Sequence, residues 1–166
     1  MQYTTLGATG LRVSVAGLGC GGNSRLGLGA GKSDVDAIAL VRAAIDLGIN
    51  FFDTAEGYGT EEVLGRALAG VPRDQVVVST KTRILGDDGE LLPAAAVIAN
   101  LEASLARLKM DYVDVFHLHA VQPKHYDYAL NEVAPAVRAG SPSDRFVLPD
   151  HLRTNTGEVP EHVTAF

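Results

Sequence analysis

The sequence predicts an α/β fold, a parallel sheet whose strands are joined by crossover helices. Three observations carry this reading. Short apolar, β-branched runs alternate with stretches of helical periodicity, four times in order, which is the pattern of βαβ construction. The strand starts fall about 25–37 residues apart, which suits βαβ units of roughly 30 residues or more. Glycine is abundant, 18 of 166 residues, without any fixed period, so it marks tight turns or backbone that approaches a ligand. The length fits one domain by the usual prior of about 100–200 residues. It falls short of the roughly 200–250 residues of a complete eight-unit β/α barrel.

The elements follow in order. Tyr3 to Val15 reads as two short strands around a turn at Gly7–Gly10. The glycine-rich AGLGCGGNSRLGLGAGKS is read as a loop. Ser33 caps the first helix, with Asp36 completing a capping box. Ile38, Val41 and Ile45 give it helical spacing, and Gly48 stops it. Ile49–Phe52 is a buried strand that ends at Asp53. Thr60 is read as the cap of a second helix, with Glu61 and Glu62 at its positive end, an apolar stripe through Val63, Leu64, Ala67 and Leu68, and a stop at Gly70. Gln75–Thr80 is the third strand, followed by Lys81. Pro93 opens a third helix whose Val97, Leu101, Leu105 and Leu108 share a face. Val113–His119 is the fourth strand, and Tyr126–Ala139 a weaker helix ended by Gly140. Residues 1–140 therefore form the folded unit, with an N-terminal hairpin. Residues 141–166 are expected to be an irregular tail, in which Pro149 cuts short a fifth strand at Phe146–Leu148.

Composition narrows the function. Hydrophobic residues at 46% and charged residues at 20% exclude general disorder. A formal charge of −6 argues against a nucleic-acid or anionic-membrane surface. One cysteine forms no intrachain disulfide and supports no multi-cysteine zinc site. No apolar run approaches the roughly 18 residues of a membrane span, and no secretory signal opens the chain. A reducing, cytoplasmic setting is expected.

Three motifs compete for attention. Gly17, Gly19 and Gly22 satisfy G-x-G-x-x-G, but the next helix does not open directly on them and no acidic residue follows at the dinucleotide-binding spacing. GLGAGKS resembles a phosphate loop, yet Leu26 stands where the first glycine is required. His117 and His119 share one side of a strand, with His125 nearby, but no carboxylate has convincing ligand spacing and no metal is expected.

Chemistry concentrates elsewhere. Asp53, Lys81 and His119 each fall at the C-terminal end of a predicted strand, the edge that faces the ligand crevice in parallel α/β folds. Neighbouring strands lie about 4.8 Å apart, so the three side chains can converge. Tyr58, between Gly57 and Gly59, can fold back over that edge. A lysine ammonium beside a tyrosine favours the phenolate, which suits the phenol to general-acid work. Asp53 supplies the ammonium's counter-charge, and His119 can hydrogen-bond the reacting oxygen. The same residues also fit a plain buried ion pair with a satisfied core histidine.

GINFFDTAEGYGTEEVLGRAL, VVVSTK and SLARLKMDYVDVFHLH together resemble the aldo-keto reductase family over about residues 2–120, as do the opening hairpin and VAGLGCGG. The resemblance implies a (β/α)8 barrel of TIM type, here truncated to about four β/α units. It implies NADPH-dependent reduction of aldehydes and ketones, with a small carbonyl substrate. It places the family's catalytic aspartate, tyrosine, lysine and histidine on Asp53, Tyr58, Lys81 and His119, with Tyr58 as the acid. It brings Gly19, Cys20 and Gly21, with Asp53, to the cofactor. The family's Ser-Asn pair, which meets the nicotinamide carboxamide, has no clear match after Gly140, and its later strands have none. The alternative expectation is a catalytically silent half-barrel that self-associates or binds a partner through its open sheet edges.

Overall fold

The computed structural model describes residues 1–140, so the expected tail and its Phe146–Leu148 strand lie outside the described residues. An antiparallel hairpin, β1 (Tyr3–Thr5) and β2 (Arg12–Ser14), precedes a four-stranded parallel sheet. That sheet runs β3 (Leu18–Gly19), β4 (Phe51–Asp53), β5 (Val77–Arg83) and β6 (Val115–His119), in chain order. Helices α1 (Asp34–Asp46), α2 (Glu61–Leu68) and α3 (Ala94–Leu108) make the crossovers. After β6 come a short α4 (Tyr126–Tyr128), a π-helical turn at Ala129–Val133 and α5 (Ala134–Gly140). The sheet is open: among the described residues β3 pairs only with β4, and β6 only with β5. No described helix is long and apolar enough to cross a membrane.

The alternation of β5 sets the two faces. Val78, Thr80 and Thr82 point to the helices, where Phe52, Phe116 and Leu118 join Leu64, Val97 and Leu108 in the core. Ser79, Lys81 and Arg83 point the other way. Each helix packs on the next, α1 on α2, α2 on α3 and α3 on α5. Gly65 is what lets α2 meet α3, because a Cβ there would collide with the backbone carbonyl of Leu108.

Buried polar groups lock the register. Glu61 is 1% exposed, accepts from Thr80 Oγ1 at 2.6 Å and pairs with Arg107 Nε at 2.7 Å. Asp114 takes the Val78 N–H at 2.8 Å and Arg73 Nη2 at 2.6 Å, while that guanidinium lies 3.9 Å over the Tyr112 ring. Asn50 ties the hairpin to the sheet, accepting the Ser14 N–H at 2.7 Å and donating to the Arg12 carbonyl at 3.0 Å.

One local expectation holds and several change. The Ser33–Asp36 capping box is present, and its hydrogen bonds hold the Asp36 carboxyl below its ordinary value. Thr60 is no side-chain cap; its hydroxyl is buried against that of Thr54 at 2.9 Å. The first strand of the sheet lies inside the stretch read as loop, at Leu18–Gly19, and tight 3₁₀ turns over Arg25–Ala30 follow it. The third strand runs on to Arg83, so Lys81 sits two residues inside it. The last helix is broken because Pro135 cannot donate to the carbonyl four residues back. The Ala134 N–H instead reaches the carbonyl of Ala129, one residue further than in an α-helix.

Candidate active site

Parallel pairing brings the site together. Asp53 stands opposite Ser79, Lys81 opposite His117, and Arg83 opposite His119. All lie on the face away from the helices, as does Gly19 opposite Asp53. Lys81 Nζ donates to Asp53 Oδ2 at 2.6 Å and to the Thr54 carbonyl at 2.8 Å. Ser79 Oγ donates to Asp53 Oδ1 at 2.9 Å, so both carboxylate oxygens are held. The lysine side chain is 15% exposed and the aspartate 39%, so the pair faces outward from a mostly enclosed ammonium.

Tyr58 reaches this pair from a 3₁₀ turn at Glu56–Tyr58. Glu56 anchors the turn to the end of β5, accepting from Thr82 Oγ1 at 2.6 Å and from the Arg83 N–H at 2.7 Å. The Tyr58 ring centroid lies 5.1 Å from Lys81 Nζ and 5.7 Å from the His119 ring, which it meets at 88°. Its other contact is Gly21, where a Cβ would come within 2.5 Å of the ring carbons. Only glycine lets the phenol lie there.

His119 is half-buried, and its Nδ1 is buried without a hydrogen-bond partner. Burial first, then the charges of Lys81 and Arg83, lower its proton affinity against the opposing pull of Glu56 and Asp53. Cys20 is fully buried. Burial, helped by Asp53 and opposed by Lys81, pushes its thiol up to about 12. Its backbone N–H bonds the Asp53 carbonyl at 2.8 Å, so the residue holds the Gly19–Gly21 loop against β4. Gly19 is exposed, with open space where a side chain would stand, which leaves room for a flat ring beside Asp53.

The four residues singled out by sequence, Asp53, Tyr58, Lys81 and His119, therefore share one cluster. Ser79, Glu56 and Thr82 were not foreseen. Ser79 was within reach, because it is two residues before Lys81 and so on the same face. Among the described residues no three His, Cys, Asp or Glu side chains gather as a metal-holding group.

Comparison with known proteins bears on the family and the fold. The family model described as Aldo/keto reductase family matches residues 17–141. L-galactose dehydrogenase of Arabidopsis thaliana is 39% identical over 144 residues, covering 83% of this chain and 44% of that protein. Aldo-keto reductase YhdN of Bacillus subtilis is 35% identical over 133 residues, covering 74% of this chain and 39% of that protein. The holo form of an aldo-keto reductase from Bacillus halodurans superposes with a TM-score of 0.71 at 26% identity, covering 89% of this chain and 50% of that one. The chain thus spans less than half the length of the curated relatives it matches. Its open sheet, with four β/α units, corresponds to part of a TIM-type barrel. With the family model matching most of its length, the chain belongs to the aldo/keto reductase family.

Proposed function

We propose that this chain carries the proton-donating side of an NADPH-dependent reductase that converts aldehydes or ketones to alcohols, with Tyr58 as general acid. The observation that carries the reading is the position of Lys81. Its ammonium is bonded to Asp53 at 2.6 Å and stands 5.1 Å from the Tyr58 ring. A positive charge there stabilises the phenolate left when Tyr58 gives up its proton. Asp53 and Ser79 keep that charge in place, and the Thr54 carbonyl fixes a second ammonium proton.

His119 has a different part. Its lowered proton affinity favours a neutral ring at pH 7. A buried Nδ1 without a partner costs least as a bare lone pair, which leaves the proton on Nε2. His119 then donates a hydrogen bond to the carbonyl oxygen, polarising it without competing with Tyr58 as the acid. Gly19, Cys20, Gly21 and Asp53 form the wall that would hold the nicotinamide: Gly19 by leaving space, Cys20 and Asp53 by fixing the loop and Gly21 by seating Tyr58. Bound against this wall, NADPH would supply the hydride for the carbonyl carbon. Tyr58 protonates the oxygen as it becomes an alkoxide, and solvent restores the tyrosine proton. The single, buried thiol suits a reducing cytoplasm.

The test is a titration of NADPH with the 166-residue chain, followed by cofactor fluorescence, since the chain has no tryptophan. Saturable binding is expected. A folded chain that leaves the fluorescence unchanged would contradict the reading.

A second reading has its own observation. The outer strands β3 and β6 each lack a neighbour on one side among the described residues, and open edges invite pairing. The chain would then act by binding a second copy through these edges. Sedimentation showing a compact monomer would remove this alternative.

A further inference from the structure

We infer that Arg83 is an anion-binding residue at the rim of this site, and that the carbonyl substrate carries a carboxylate or similar anionic group within reach of this guanidinium. The inference deepens the reductase reading and rests on it for the word substrate.

Arg83 follows Lys81 by two positions on β5, so both side chains leave the same face of the sheet. The register sets Arg83 directly opposite His119. Its Nη2 lies beside the turn that presents Tyr58, 3.9 Å from where a Cβ on Gly57 would stand. The guanidinium therefore borders the two groups proposed to hold the carbonyl oxygen. It is exposed, and among the described residues no carboxylate or carbonyl accepts from it.

Other arginines show what structural use looks like here. Arg73 holds Asp114, Arg107 holds Glu61 and Arg66 holds Asp34. Glu56, the acid bonded to the end of β5, is spent otherwise: its oxygens take Thr82 Oγ1 and the backbone N–H of Arg83 itself. Glu56 fixes the backbone of Arg83 and leaves the fork free. Its negative charge tempers the site, yet the positive charge of Arg83 still reaches His119, whose proton affinity it helps to lower. A planar fork beside the proton donor, unused by the fold, suits a carboxylate held in two-point contact. A ligand that places its carbonyl oxygen between Tyr58 and His119 would bring a carboxylate a few bonds away to Arg83.

The test uses binding, so that it does not depend on turnover. The affinities of 4-(hydroxymethyl)benzoate and benzyl alcohol for the 166-residue chain are measured by NMR on the ring signals of His119, assigned by comparison with His119→Gln. The carboxylated ligand is expected to bind about fivefold more tightly, the scale of an exposed ion pair. Arg83→Met should bring the ratio close to one, Arg83→Lys should keep part of it, and salt at about 0.5 M should shrink it. Arg83 is exposed, so these variants are expected to fold. Equal affinities in the wild type, an unchanged ratio in Arg83→Met, or no saturable binding of the carboxylate would overturn the inference. NADPH titrations of the same variants separate the other anion source. A loss of NADPH affinity in Arg83→Met with the carboxylate preference intact would assign the guanidinium to a cofactor phosphate and overturn the substrate assignment. Absence of NADPH-dependent reduction of benzaldehyde and 4-carboxybenzaldehyde would sink the reductase reading, while the binding ratio would still decide the anion site.

Discussion

His119 meets the Tyr58 ring edge to face, with centroids 5.7 Å apart and planes at 88°. This is a favoured aromatic arrangement, and it orients the phenol and the imidazole together. It also places a titratable ring where burial and two cations disfavour its charge.

The pH dependence of stability follows from that placement. His119 binds its proton less readily in the folded chain than in the unfolded one, which titrates near 6.5. Between those values the unfolded state holds more protons, so stability rises with pH. The contribution is fully present above about pH 6.5 and is lost as pH falls through the folded value. Urea midpoints at pH 7.5 and pH 5 should therefore fall less in His119→Gln than in the wild type. Equal falls would show that the ring is not disfavoured as a cation.

Lys81→Met removes the charge that stabilises a tyrosinate. It leaves Asp53 with its Ser79 hydrogen bond and partial solvent exposure, so the fold should survive. Carbonyl reduction should drop at least about 100-fold in kcat, the lower range for general-acid catalysis. NADPH affinity should change far less. A variant with ordinary kcat would show that the ammonium serves only the ion pair.

Gly65→Ala opposes two effects of known size. Alanine favours a helix over glycine by about 1 kcal/mol. The new methyl, however, meets the backbone carbonyl of Leu108, which no side-chain rotation can move aside. Such overpacking costs about 1–3 kcal/mol. The variant should be net destabilised in urea unfolding, and a stabilised one would mean that α2 and α3 slide apart without penalty.

Much of this was legible in the sequence, for physical reasons that differ by element. The α1 cap was readable because a capping box is local, confined to Ser33 and Asp36. The convergence of Asp53, Lys81 and His119 was readable because strand spacing and the period of two are fixed by the backbone. The two-residue β3 was hidden, since Leu18–Gly19 carries no periodicity and exists only by pairing with β4. Thr60 misled because a threonine before a helix usually caps it, whereas here a buried hydroxyl partner, Thr54, captures it. Glu61 reads as a helix-end charge, yet its tertiary partners Thr80 and Arg107 decide its role.

Cys20 should be unreactive in the folded chain. Its thiol is fully buried and pushed up to about 12, so the nucleophilic thiolate is scarce at pH 8. Ellman's reagent should react with it slowly in buffer and rapidly in denaturant. Fast reaction in buffer would show that the Gly19–Gly21 loop opens readily.

The most direct test of the central claim is NADPH-dependent reduction of an aldehyde by the wild-type chain and by Tyr58→Phe, with circular dichroism as the check on folding. The account predicts measurable turnover by the wild type and a loss of at least about 100-fold in the variant with the fold intact. Equal turnover by a folded Tyr58→Phe chain would contradict it.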